Sequence, residues 1–173
     1  MSTLEPTPPT LSASEAIRTK RAVRRYAERV VPEAAVRAIL EAGRRAQSSK
    51  NDQPWTFVLV SERAQLQRLS SAGIYTAHVP QAAFAIVLVA PPGYEFDLGQ
   101  AAAYMQLVAL EHGVGSCLIS LQHRELACTI LGVPDELRCD FAITFGYSNE
   151  PPRPLRAGGR RPLIELVRHE RFD

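Results

Sequence analysis

Two short stretches carry the residue types that could hold a polar ligand. Residues 20–26, Lys-Arg-Ala-Val-Arg-Arg-Tyr, set cations on either side of the small apolar pair Ala22 and Val23. In a turn, Arg21 and Arg24 can hold a phosphate while the small residues let the backbone approach it. Otherwise, a basic run of this kind is a solvated face. Residues 47–52, Gln-Ser-Ser-Lys-Asn-Asp, cannot fill a core, but they offer hydroxyl, amide and ammonium donors. No nucleophile with its base, no carboxylate pair and no metal-spaced cluster stands out. Cys117, Cys128 and Cys139 are odd in number and lack a CxxC pairing, which argues against a disulfide framework and against zinc. Their equal spacing of 11 is read as chance. His78, His112, His123 and His169 are not at ligand spacing. If the chain is an enzyme, a cofactor must supply the difficult step.

The elements that position these residues can be traced in order. Residues 1–13 form a loose, proline-rich leader. Ser14 is placed to cap a short helix over residues 15–19. Pro32 opens a helix whose Val36, Ile39, Leu40 and Gly43 form an apolar stripe. Pro54 ends that helix and the donor loop behind it, because Gln53 is pushed towards an extended conformation. Residues 55–60 then read as a strand, aromatic and β-branched, apolar enough for burial on both faces. A helix over 62–70 and a buried strand over 84–89 follow. Asp97 is placed to cap a helix over 98–112 that is apolar nearly all round, so it suits packing against either the chain's own core or a second subunit. A strand from residue 113 to 120, a helix over 124–131 closed by Gly132, and a strand over 140–146 complete the set. The Gly-x-Gly at 113–115 follows a helix and precedes a strand, the reverse of a dinucleotide fingerprint. Irregular connections without a βαβ repeat favour α+β over α/β.

Composition narrows the classes. A chain of 173 residues suits one domain, with 46% hydrophobic and 22% charged residues as in ordinary globular proteins. A net charge of +2 and few aromatics among the basic residues disfavour nucleic acid. Without a signal pattern or an apolar run of about 18 residues, the expectation is a cytoplasmic protein that does not enter the membrane.

The order Ser-Ser-Lys-Asn-Asp-Gln-Pro-Trp-Thr-Phe-Val, preceded by the basic run ending in Tyr26, resembles the flavin-dependent nitroreductase family over roughly residues 14–172. The resemblance implies an α+β domain, residues 14–173, with a mixed central sheet flanked by helices, an Arg-rich C-terminal arm and an intertwined homodimer. It implies FMN as cofactor, which also fits separated clusters of cations and donors. Lys20, Arg21, Ala22 and Arg24 match the family's first flavin segment. Gln47, Ser48, Ser49 and Asn51 match a segment supplied by the partner subunit, although Gln47 stands where many members have Pro. Leu118, Ile119 and Ser120 match a backbone segment beside the flavin ring. Arg160 and Arg161 match cations that close on the phosphate, with the choice between them open. Whether His78 faces the ring or is an ordinary loop histidine is also left open.

The implied reaction is a hydride relay from NADH or NADPH through flavin to a flat acceptor, a nitroaromatic or a quinone. The flavin carries the chemistry, and no side chain is required as acid or base. Other readings are a flavoprotein of the same fold with dehalogenating or flavin-fragmenting chemistry, and a non-catalytic FMN-binding protein.

Overall fold

The computed structural model describes residues 11–151 and 159–172. Residues 1–10 of the expected leader and 152–158 of the expected arm lie outside them. The elements are α1 (Ala13–Thr19), α2 (Glu33–Arg44), β1 (Thr56–Val60), α3 (Arg63–Leu69), β2 (Phe84–Ala90), α4 (Glu95–Glu111), β3 (Gly115–Ser120), α5 (Arg124–Leu131), β4 (Arg138–Gly146) and α6 (Leu163–Leu166). The strands form one sheet in the order β1-β2-β4-β3. Its neighbouring strands all pair antiparallel, and the parallel element among the described residues is the isolated bridge between Ala22 and Ser116.

The two faces of β2 explain the layering. Phe84, Ile86 and Leu88 point to one side, where they meet Ile39 of α2, Met105 of α4 and Ile143 and Phe145 of β4. Ala85, Val87 and Val89 point to the other, against Leu66 and Leu69 of α3 and Ala127 of α5. Alternation along a strand sends successive side chains to opposite faces, so a strand covered on both sides must be apolar throughout. Removing a large side chain here, as in Phe145→Ala, costs about 3–5 kcal/mol.

Three expectations are corrected. The strand read over residues 55–60 as buried on both faces is β1, which lies at the sheet edge with Leu59 exposed. Phe57 packs towards α2 and α4, and Val58 and Val60 pack on the other face towards α3 and α5. Helix α1 starts at Ala13, capped by Ser12 rather than Ser14, because Glu15 three residues on completes a capping box with Ser12. Asp97 lies inside the first turn of α4, whose preceding residue is Tyr94. Gly132 closes α5 as expected, at φ 65°, where a Cβ would be strained.

Candidate functional site

The basic segment is held in an extended turn between α1 and the open edge of β3. The amide of Val23 donates to the carbonyl of Ser116 at 3.0 Å. The buried Tyr26 hydroxyl donates to the Val23 carbonyl at 2.7 Å and lies 2.8 Å from the Thr144 hydroxyl. Burial pushes the Tyr26 phenol above its ordinary range, so it stays protonated and keeps this anchor. Glycine is needed at 115: an added Cβ would lie 2.6 Å from Val23 Cγ2 and 2.9 Å from Val23 Cβ. The segment therefore rests directly on the strand.

Against it opens a cavity of about 480 Å³. Lys20, Arg21, Ala22 and Arg24 line one wall, Gln106 and Leu110 of α4 another, and Gly115, Ser116 and Glu150 the rest. That volume lies in the range of small-molecule sites, about 300–1,000 Å³. Burial, with Arg24 nearby, lowers the Lys20 ammonium below the usual lysine range. Arg21 uses Nη1 to donate to the carbonyls of Arg18 at 2.8 Å and Lys20 at 2.9 Å, while its Nε is buried without a partner. A buried N–H of a cation lacking an acceptor, in a cavity wall, suits an anionic oxygen. The cations, the orphaned Nε and the size of the cavity fit a phosphorylated flat ligand.

Gln106 and Ser116 were not foreseen as site residues. Gln106 is buried and donates from Nε2 to Ser116 Oγ at 3.2 Å. Its signal was a lone amide among Met105, Leu107 and Val108, which reads as a buried polar group seeking partners. Glu150 was missed as well; its ion pair with Arg25, at 2.8 Å, cannot be read from sequence distance.

The other expected site residues lie elsewhere. Gln47, Ser48, Ser49 and Asn51 sit at the opposite end of α4. The Ser49 amide donates to Asp97 Oδ2 at 3.4 Å, and Gln100 Nε2 donates to the Gln47 carbonyl at 3.5 Å. The loop turns sharply, with Lys50, Asn51 and Gln53 all at positive φ. At a rise of about 1.5 Å per residue, six helical steps from Gln100 to Gln106 amount to roughly 9 Å, and the interval from Asp97 to Leu110 to roughly 20 Å. One chain thus holds its cation cluster and its donor loop at separate places.

Leu118, Ile119 and Ser120 continue β3 beyond the cavity. The outward carbonyl of Ser116 meets Val23, so alternation turns the Leu118 and Ser120 backbone groups to the same unpaired edge. Arg160 and Arg161 are exposed, and Arg161 donates to Glu165 Oε2 at 3.1 Å, away from the cavity wall. His78 is buried beside the Tyr26 ring, at 6.5 Å between centroids, with Nε2 unpartnered. It does not line the cavity. Among the described residues the three cysteines are free thiols, no group of His, Cys, Asp and Glu could hold a metal, and no helix is long and apolar enough to cross a membrane.

Fold and site together define an α+β protein with a cation-walled cavity open to a phosphorylated ligand. The Nitroreductase family model matches residues 17–91 and 74–147, and the chain belongs to that family. An NADH dehydrogenase of Thermus thermophilus is 40% identical, over 95% of this chain and 98% of its own. An FMN-dependent nitroreductase from Clostridium difficile R20291 superposes with a TM-score of 0.83 at 26% identity, covering 91% of this chain and 98% of that one. A nitroreductase family protein from Clostridium difficile 630 shares the fold, with a TM-score of 0.83 at 23% identity, over 94% and 100% of the two chains.

Proposed function

We propose that this protein is an FMN-dependent oxidoreductase, taking a hydride from NADH or NADPH and passing it to a flat acceptor such as a nitroaromatic or a quinone. It works as a homodimer with its two cofactor sites at the subunit interface. The observation that carries this reading is the cavity wall of Lys20, Arg21 and Arg24 with the buried, unpartnered Arg21 Nε. The names of the relatives support the same cofactor and donor.

When bound, FMN supplies two-electron chemistry at the isoalloxazine ring. The chain supplies position and electrostatics. Lys20, Arg21 and Arg24 offset the phosphate charge and bring positive charge to the pyrimidine edge, where reduction adds electron density. Ala22 leaves room for close backbone approach, and Gly115 lets Val23 rest on β3. Gln106 and Ser116 offer an amide and a hydroxyl within the cavity, while Leu110 and Val114 keep water from its wall. The outward N–H of Leu118 is available to a ring nitrogen, with Ile119 and Ser120 completing that edge. Gln47, Ser48, Ser49 and Asn51 of each chain reach the other chain's cavity. Arg160 or Arg161 closes on the phosphate. Solvent supplies the proton, so no residue is assigned as acid or base.

The test is anaerobic titration of the purified protein with each nicotinamide. A yellow protein that bleaches, and regains colour with a quinone or nitroaromatic, is the expected outcome. Colour that survives both nicotinamides would leave a flavin binder without this activity, and a chain that takes up no FMN would end the proposal.

A further inference from the structure

Cys128 and Cys139 come together on the face of the sheet opposite α4, away from the cation cavity. Their sulfurs lie 3.0 Å apart, both as free thiols. That is about 1 Å longer than a covalent S–S bond, so little movement separates the dithiol from a disulfide. Cys128 is on α5 and Cys139 on β4.

Local structure explains the meeting. Ala90 pairs with Arg138 and Leu88 with Phe141, so Cys139 and Asp140 together oppose the single residue Val89. This bulge suspends the alternation of the strand and lets two successive residues serve one helix. Asp140 takes an ion pair from Arg124, and Cys139 meets Cys128 one helical turn further on. Ala127 is fully buried between them, fixing the depth of α5. A cross-link would therefore join elements already held in register.

We propose that Cys128 and Cys139 are a site of reversible oxidation, forming an intramolecular disulfide on exposure to a hydroperoxide. Cys128 is half-buried and Cys139 fully buried, so the oxidant meets Cys128 first. The Cys128 sulfur attacks a peroxide oxygen; the O–O bond breaks, giving a sulfenic acid and water. The Cys139 sulfur then attacks the Cys128 sulfur, the S–S bond forms and the S–O bond breaks. The departing hydroxyl leaves as water with the Cys139 proton. Two thiols lose two electrons, and hydrogen peroxide becomes two waters. Burial, followed by the hydrogen bond to Cys128, pushes the Cys139 thiol up to about 12, so Cys139 is not the sulfur that reacts first.

The test uses the full chain, reduced and then treated with hydrogen peroxide. Titratable thiols in denaturant should fall from three to one, leaving Cys117. Peptide mapping should give a cross-linked 128–139 pair, lighter by two hydrogens, that dithiothreitol reverses. Cys117 lies opposite Thr144, five residues along β4 from Cys139 and so roughly 17 Å away, too far to substitute. In Cys139→Ser the sulfenic acid should persist at Cys128 and be trapped by dimedone. Three surviving thiols, cross-links between chains, or over-oxidation of Cys128 in the wild-type chain would each overturn the proposal.

Discussion

The cations of residues 20–24 do work that costs the folded chain something. Lys20 is held below its ordinary range by burial, beside Arg24, in a wall whose carboxylate, Glu150, is paired with Arg25. Such crowding is tolerated where a ligand brings the missing negative charge. Arg24→Ala should weaken FMN binding about ten- to hundredfold, the worth of a hydrogen bond to a charged group. Fluorescence titration of the apoprotein measures it, and an unchanged affinity would remove Arg24 from the phosphate. His78 makes a different prediction. Burial first, and Arg24 second, lower its pKa, so the native imidazole stays neutral where the unfolded one, near 6.5, takes a proton. The unfolded state thus binds more protons below about pH 6.5, and stability must fall as pH drops through that window. Between about pH 7.5 and about pH 5.5, His78→Leu should show a flatter loss of urea midpoint than the wild-type chain. Equal slopes would show that His78 is protonated in the folded protein.

Among the elements, β3 decides whether the cations are presented at all, because residues 20–24 have no helix or strand of their own. Gly115→Ala sets a Cβ 2.9 Å from Val23 Cβ, on the main stem of a β-branched side chain that cannot swing away. A destabilisation of about 1–3 kcal/mol with a parallel loss of FMN affinity is expected. Gly43→Ala meets Met105 at its flexible Cε, 2.1 Å away, and should leave FMN affinity unchanged because α2 does not touch the cavity. Thermal melts with and without FMN separate the two. Much of this layer was legible in the chain. Gly132 after an amphipathic run, the β-branched block from 84 to 89 and Pro54 after a polar loop each carry a local physical signal. The edge position of β1 was not, since an apolar strand packed on both faces reads alike whether one or both of its hydrogen-bonding edges are paired. The same holds for Gln106 and Ser116, which become a pair only once α4 folds back onto β3. The cation cluster was legible as residue type and spacing; that Arg160 and Arg161 stand apart from it was not, because their distance is set by a tail with few buried contacts.

Taken whole, one chain holds its cations and its donor loop at separate places along α4, and the proposed homodimer is what would bring them together. The cations sit at the C-terminal end of α4 and the donor loop, tied to Asp97 and Gln100, near the other. Phe96 and Tyr104, exposed on the same helix, leave α4 without cover along part of its length. If two chains pair so that each loop meets the other's cavity, a two-fold axis makes both sites alike. Arg24→Ala and Asn51→Ala would each then disable every site in their own homodimer. In a mixed dimer, one site would receive both substitutions and the other neither. Random pairing makes about half the dimers mixed, so about a quarter of all sites in an equimolar, co-refolded sample should recover FMN binding and nicotinamide-dependent bleaching. Mixing the two folded variants without unfolding should recover far less if the dimer is long-lived. Were Arg24 and Asn51 parts of one chain's site, no combination of these subunits would assemble an intact one, and the co-refolded sample would stay as colourless as its components.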